Sequence, residues 1–280
     1  MKIKHILFSV IVCALLVVIG YSSLQLWDIR QNNIQEAELH NRLIQYRPET
    51  MPLTPETMPS THAERTPEPD PKSNPDSDPE VLSESAPTPS APSVNQSIVD
   101  LQTARPGAVG WLTIPNTRID YPFAQGEDND TFLHMDLDQR WSAAGTIFMD
   151  FRNSQDFSDF NTILFGHNMR NGSMFGTLQQ FNNRTFFEAN RIGTIFLADK
   201  TYEITFIAFA VIAPNDEVVY NPLIETSAAA FLDHVRHIAR YYRDVDITKD
   251  DRFVTLSTCN YEFDDARMVL IGKLTKTGNN

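Results

Sequence analysis

The chain has 280 residues, 41% of them hydrophobic, and sets 23 Lys and Arg against 36 Asp and Glu for a net charge of −13. That acidic excess repels phosphate backbones, and no basic stripe interleaved with aromatics offsets it, so nucleic acid is excluded as a partner class. Residues 1–46 carry +1, 47–100 carry −7 and 101–280 carry −7, so the middle segment alone holds over half of the charge and the chain divides into parts.

Lys2 and Lys4 precede a stretch without charge from Ile6 to Trp27. About 20 such residues cross the hydrocarbon of a bilayer as a helix. A retained anchor and a cleaved signal peptide compete as readings; the length of the run, with no small-x-small site after it, favours an anchor over residues 1–27. With the lysines ahead of the span, the positive-inside tendency predicts a cytoplasmic amino terminus and an extracellular remainder. Cys13 falls inside the span, as a small hydrophobe or a lipidation site. In residues 28–46, Ile29, Ile34, Leu39, Leu43 and Ile44 recur at loosely helical spacing, which predicts a juxtamembrane helix or a solvated stalk.

Residues 48–92 hold 12 of the 17 prolines among Glu, Asp, Ser and Thr, with PETMP at 48–52 and again at 55–59. Such a segment buries too little apolar surface to offset its ordering entropy, so 47–97 is expected to be a disordered acidic spacer. From Ile98 the pattern changes to short runs rich in Ile, Val, Phe and Thr: GWLTIPNTRIDYPFAQ, interrupted by Pro115 and Pro122, then GTIFMDF, NTILFGH, GTIFLA, YEITFIAFAVIA, RFVTLSTC and RMVLIGKL. They predict seven to eight strands, with IPNT at 114–117 as a strand-edge turn.

Two segments have helical periodicity, TFLHMDLD at 131–138 and SAAAFLDHVRHIARYYR at 227–243, the latter with Phe231, Val235, Ile238 and Tyr242 on one face. Many strands with so few helices between them predict a mainly β fold for 98–280, a closed or nearly closed barrel and not a parallel α/β sheet. Roughly 180 residues are ample for one core.

Cys259 is the lone cysteine beyond the apolar stretch, so the fold is not held by paired cysteines. It ends the run Phe253–Thr258, where a strand gives way to a loop. A thiol needs a neighbouring base or positive charge to become an attacking thiolate; a buried, inert cysteine is the alternative. Among the histidines beyond the spacer, His234 and His237 lie three apart near Arg236 and Arg240, where solvated or capping roles fit. No further cluster completes a metal site there. His134 stands near Asp136 in a polar segment. His167 closes the strand NTILF and opens the glycine-punctuated GHNMRNGSMFG, which makes it the better partner for Cys259. Arg267 follows the acidic turn EFDD. It pairs with Glu262, Asp264 or Asp265, guards a strand edge, or reaches back over Cys259 to stabilise an oxyanion, and spacing leaves these open.

TLSTC running into ARMV, with an arginine eight residues after the cysteine, and the upstream GHNM loop followed by MFG together resemble the sortases, above all class B: membrane-anchored cysteine transpeptidases of Gram-positive cell surfaces. The resemblance covers residues 98–274. It implies a sortase-like closed β-barrel with an amphipathic helix before the last two strands. It implies Cys259 as nucleophile, His167 as the acid/base that protonates the leaving amine, and Arg267 as oxyanion and substrate stabiliser. It makes the backbone N–H of Asn260 a candidate second oxyanion donor and sets Ser257 and Tyr261 beside the substrate groove, with strand packing as their other reading. Neither a metal nor an organic cofactor is required. The implied partners are exported proteins with a C-terminal sorting motif cleaved after Thr, an amine of peptidoglycan or of a pilin lysine, and the membrane through the N-terminal helix. The long proline-rich spacer departs from the class. Two rival readings are a non-enzymatic, wall-spanning β-barrel receptor with an inert thiol and a plain cysteine peptidase that passes the acyl group to water.

Overall fold

The computed structural model describes residues 2–49, 94–260 and 262–277. The stretch 50–93 of the expected spacer, and Tyr261, lie outside them. The N-terminal segment is one helix, α1 (Lys2–Leu43). An 18-residue window within Ile11–Tyr46 has a mean hydropathy of 1.7 and is not buried by the protein at all, the surface of a helix made for an apolar surrounding. The last turns of α1 differ. Leu39 and Leu43 are buried against Ile98 and Leu101 of α2 (Gln96–Ala104) and against Trp111. Beside them Arg42 pairs with Asp138 at 2.7 Å and Arg47 with Asp120 at 2.8 Å. α2 starts at Asn95, whose side-chain oxygen accepts from the Ile98 N–H and so satisfies one of the orphan donors of a first helical turn.

β1 (Ala108–Thr113) and β2 (Asp120–Gln125) form a hairpin whose turn is the IPNT segment, with Asn116 at φ +61° and the Ile114 N–H on the Ile119 carbonyl at 2.8 Å. Pro122 does not interrupt β2. β3 (Ile147–Met149) pairs with β2 only from Phe123 onward, so a residue without N–H is tolerated where the ladder has not yet begun. Then come β4 (Asn161–Phe165), α3 (Arg184–Ala189), β5 (Ile192–Phe196), β6 (Thr201–Ile212), α4 (Glu217–Tyr220), α5 (Ala228–Ile238), β7 (Tyr241–Tyr242), β8 (Arg252–Cys259) and β9 (Arg267–Thr277).

Hydrogen bonding runs β5-β1-β2-β3-β4-β8-β9-β6, and the first half of β6 pairs again with β5, so eight strands close into a barrel. β2–β3 and β4–β8 are parallel and the other barrel pairs antiparallel. The two-residue β7 adds to the second half of β6 outside the closed set. Closure leaves no long unpaired edge.

Strand alternation sorts the apolar side chains. Val254 and Leu256 of β8, with Met268, Leu270 and Leu274 of β9, point into the barrel core beside Phe123, Phe175 and Phe206. Phe253, Val269 and Ile271 point outward, where α5 covers them with Phe231, Leu232 and Val235.

Two predicted helices are shorter than expected. Over 131–138 only Thr131–Leu133 forms a 3₁₀ turn, started by Asp128, whose carboxylate accepts from the Thr131 N–H and hydroxyl. It stops because the carbonyls that a helix would use are taken from outside: Phe132 O by the Thr146 N–H, His134 O by the Ser142 N–H and Met135 O by the Thr146 hydroxyl. α5 ends at Ile238, not at 243. The Arg240 N–H bonds to Phe209 O at 2.8 Å and the two tyrosines that follow join β6, so sheet pairing overrides helical periodicity there.

Candidate active site

β8 lies between parallel β4 and antiparallel β9. Because Val254 and Leu256 face the core, alternation turns Ser257 and Cys259 to the outer face. Cys259 stands directly opposite Arg267, and directly opposed residues carry their side chains on one face. On the other flank Phe165 is level with Ser257. Past the end of β4 the chain keeps step: the Gly166 N–H donates to Ser257 O at 3.2 Å and Asn168 Nδ2 donates to Cys259 O at 2.9 Å. His167, between them, is level with Cys259. Sulfur, imidazole and guanidinium thus start from three adjacent backbone segments at one height on one face. The Cys259 thiol is free and half-buried.

His167 Nε2 lies 2.8 Å from the Leu133 carbonyl. A carbonyl only accepts, so Nε2 carries the hydrogen and Nδ1 is the atom that can take up and return a proton. Burial holds the His167 pKa below its ordinary value, and the nearby His134 adds to this, while the bond to Leu133 opposes it. The loop behind is tied down: Gln179 Nε2 donates to Asn168 Oδ1 at 2.8 Å and the Phe175 N–H to His167 O at 3.0 Å.

Arg267 Nη1 donates to the Asp265 and Ala266 carbonyls at 2.9 and 3.2 Å. Among the described residues it makes no ion pair, and Glu262 is engaged by Arg240 at 2.6 Å. The remaining guanidinium donors find no protein acceptor among the described residues. Asn260 differs from expectation: its N–H closes the β8–β9 connection onto Ala266 O at 2.8 Å, and its side chain accepts from the Glu262 N–H, so that N–H is committed and not an available oxyanion donor. Ser257 is buried and hydrogen-bonded to Tyr220 at 2.8 Å, a packing position. Tyr261 lies outside the described residues. No group of three or more His, Cys, Asp or Glu that could hold a metal occurs among the described residues.

A family model described as "Sortase domain" matches residues 112–275, over half of the chain. The chain belongs to the sortase family. Its relatives are of class B. A protein named Sortase B from Listeria monocytogenes is 37% identical over 186 residues, covering 65% of this chain and 75% of the relative. A solved class B sortase of Streptococcus pyogenes, described as involved in pilus biogenesis, superposes with a TM-score of 0.60 at 30% identity, covering 63% of this chain and 97% of that one. A Staphylococcus aureus sortase B–substrate complex superposes with a TM-score of 0.62 at 28% identity, covering 66% and 87%.

The sortase barrel also brings to this face groups that the sequence does not single out. Tyr220, the last residue of α4, stacks on Phe165 with centroids 6.3 Å apart and lies near both Cys259 and Arg267. Burial above all pushes its pKa up to about 12, so its hydroxyl stays neutral. α4 is held at both ends: Asp216 caps it and also takes His234 Nε2 at 2.9 Å, and Arg152 Nη2 donates to Tyr220 O at 2.8 Å. Arg152 in turn pairs with the fully buried Asp150. Tyr220 follows two valines in a four-residue helix, and nothing in that local pattern announces a site.

Proposed function

We propose that this cysteine transpeptidase works through Cys259, His167 and Arg267 on exported proteins that carry a C-terminal sorting motif. The observation that carries the reading is the strand register: Arg267 opposite Cys259 on one side, and His167 held level with it on the other. The Cys259 thiolate attacks the threonine carbonyl of the motif and the carbon–sulfur bond forms. The developing oxyanion is taken by the guanidinium donors of Arg267 that have no acceptor among the described residues. The carbon–nitrogen bond then breaks, His167 protonates the departing amine, and a thioester remains. An incoming amine attacks the thioester, gives its proton to His167 and leaves as an amide while the thiolate is restored.

The acceptor we assign is an amine of peptidoglycan; a sortase B has been solved in complex with triglycine, which supports an oligoglycine-type amine as acceptor chemistry. The Streptococcus pyogenes relative supports a second reading, transfer to a lysine amine of a pilin subunit. α1 serves as a single-pass anchor with Lys2 and Lys4 cytoplasmic and the barrel outside. The test is mass spectrometry of products from a panel of peptides with Thr before the scissile bond, with and without triglycine or a lysine peptide. Amide products that require Cys259 are expected. Full cleavage by Cys259→Ala, or products unchanged by any amine, would overturn the proposal.

A further inference from the structure

A second imidazole stands beside the first. The ring of His134 lies 5.6 Å from that of His167, centroid to centroid, inclined by 33°. The side chain at 134 is exposed, and its place is set through the backbone. Four consecutive carbonyls, Phe132 to Met135, are taken in turn by the Thr146 N–H at 2.9 Å, His167 Nε2 at 2.8 Å, the Ser142 N–H at 2.9 Å and the Thr146 hydroxyl at 2.9 Å. A segment tied at every residue cannot slide, so the ring at 134 is delivered to the flank of the ring at 167. Other titratable groups at this end of the barrel are Cys259 on β8, Arg267 on β9 and Tyr220 at the end of α4; on the strap itself Asp136 accepts from the Arg140 N–H, and in the β8–β9 connection Glu262 pairs with Arg240, while Asn168 and Gln179 from the loop after β4 are neutral.

We propose that His134 is a positioning residue for the acid/base: its ring buttresses His167 against swinging away from Cys259 and, when protonated, opposes a second positive charge on His167. The proposal rests on the assignment of His167 as acid/base. Two unit charges 5.6 Å apart in a water-like dielectric repel enough to change a proton affinity about threefold; the exposure of His134 makes that high-dielectric figure the appropriate one. The His167 pKa is depressed first by burial, and the charge of His134 acts in the same direction.

The test uses the full chain, His134→Ala and His134→Phe. Two readouts are taken against pH: the ring-carbon NMR titration of His167, and the rate of alkylation of Cys259 by iodoacetamide, read by mass spectrometry of the peptide that contains residue 259. Phe keeps a ring and loses the charge; Ala loses both. In both variants the His167 midpoint, and the step it imposes on the alkylation profile, are expected to move together to higher pH by about threefold in proton affinity. Ala alone is expected to lower the alkylation plateau, because the buttress is gone. An unmoved midpoint in a variant with a wild-type melting curve overturns the proposal. A midpoint that moves while alkylation shows no linked step upholds the ring-to-ring coupling and overturns His167 as partner of Cys259.

Discussion

Gly145→Ala tests how His167, the proposed acid/base, is held. Gly145 has φ +58°, and a Cβ there would collide with the carbonyl oxygens of Leu133 and Phe132. Leu133 O is the acceptor of the His167 Nε2 hydrogen and Phe132 O that of the Thr146 N–H. The left-handed backbone costs alanine about 1 kcal/mol, and displacing two backbone oxygens adds roughly as much again. A loss of about 2 kcal/mol lowers the melting temperature of a domain this size by roughly 4–8 °C. The catalytic effect is separate. Moving Leu133 O weakens a hydrogen bond worth about 1 kcal/mol net, which is up to about fivefold in rate. The assay combines thermal denaturation, cleavage of a Thr-containing peptide, and ¹⁵N NMR of the His167 ring, whose Nε2–H tautomer is expected to become mixed. A variant with a lowered melting temperature but an unchanged rate and tautomer would refute the idea that this strap orients the imidazole.

Arg267→Lys removes the planar fork while keeping a charge; a loss of roughly 10²- to 10³-fold in kcat is expected, and a loss under about threefold would assign the role to charge alone. Asp150 is fully buried, and although burial alone would raise its pKa, the bonds from Arg152 outweigh that and hold it below the ordinary carboxylate value. A depressed folded pKa contributes stability above the unfolded value near 3.8 that is lost as pH falls through the folded value. Asp150→Asn should therefore cost about 2 kcal/mol at pH 7, discounted because Arg152 is partly exposed, and flatten the acid limb of the stability profile in pH-dependent urea melts. Leu43→Ala should cost about 2–3 kcal/mol by calorimetry, since Leu43 is buried between α2 and β1; a shift under about 0.5 kcal/mol would show that the end of α1 does not dock.

Much of the fold is legible in local pattern. Short runs rich in apolar and β-branched residues such as RFVTLSTC and RMVLIGKL become β8 and β9, their apolar residues unbroken by alternation because each has one face in the barrel core and one under α5. The patterns fail where partners come from far along the chain. Residues 131–138 lose their helix to acceptor competition from Thr146, Ser142 and His167, and Tyr241 and Tyr242 leave α5 to pair with β6. Asn260 shows the same limit at the site: as the residue after the cysteine it suggests an oxyanion donor, yet its N–H is spent on Ala266.

Cys259 and His167 stand out as candidates from residue type and placement at strand ends, because those properties are local, whereas for Arg267 spacing leaves several roles open and the family resemblance supplies the choice. Which of them share a face depends on strand register, and register is set by pairings between segments up to about a hundred residues apart. Tyr220, His134 and the Leu133 carbonyl carry no local mark. They reach the site only when the barrel closes and brings α4 and the strap after β2 to the end of β8, so long-range packing alone decided what surrounds the ends of the strands that carry the thiol, imidazole and guanidinium.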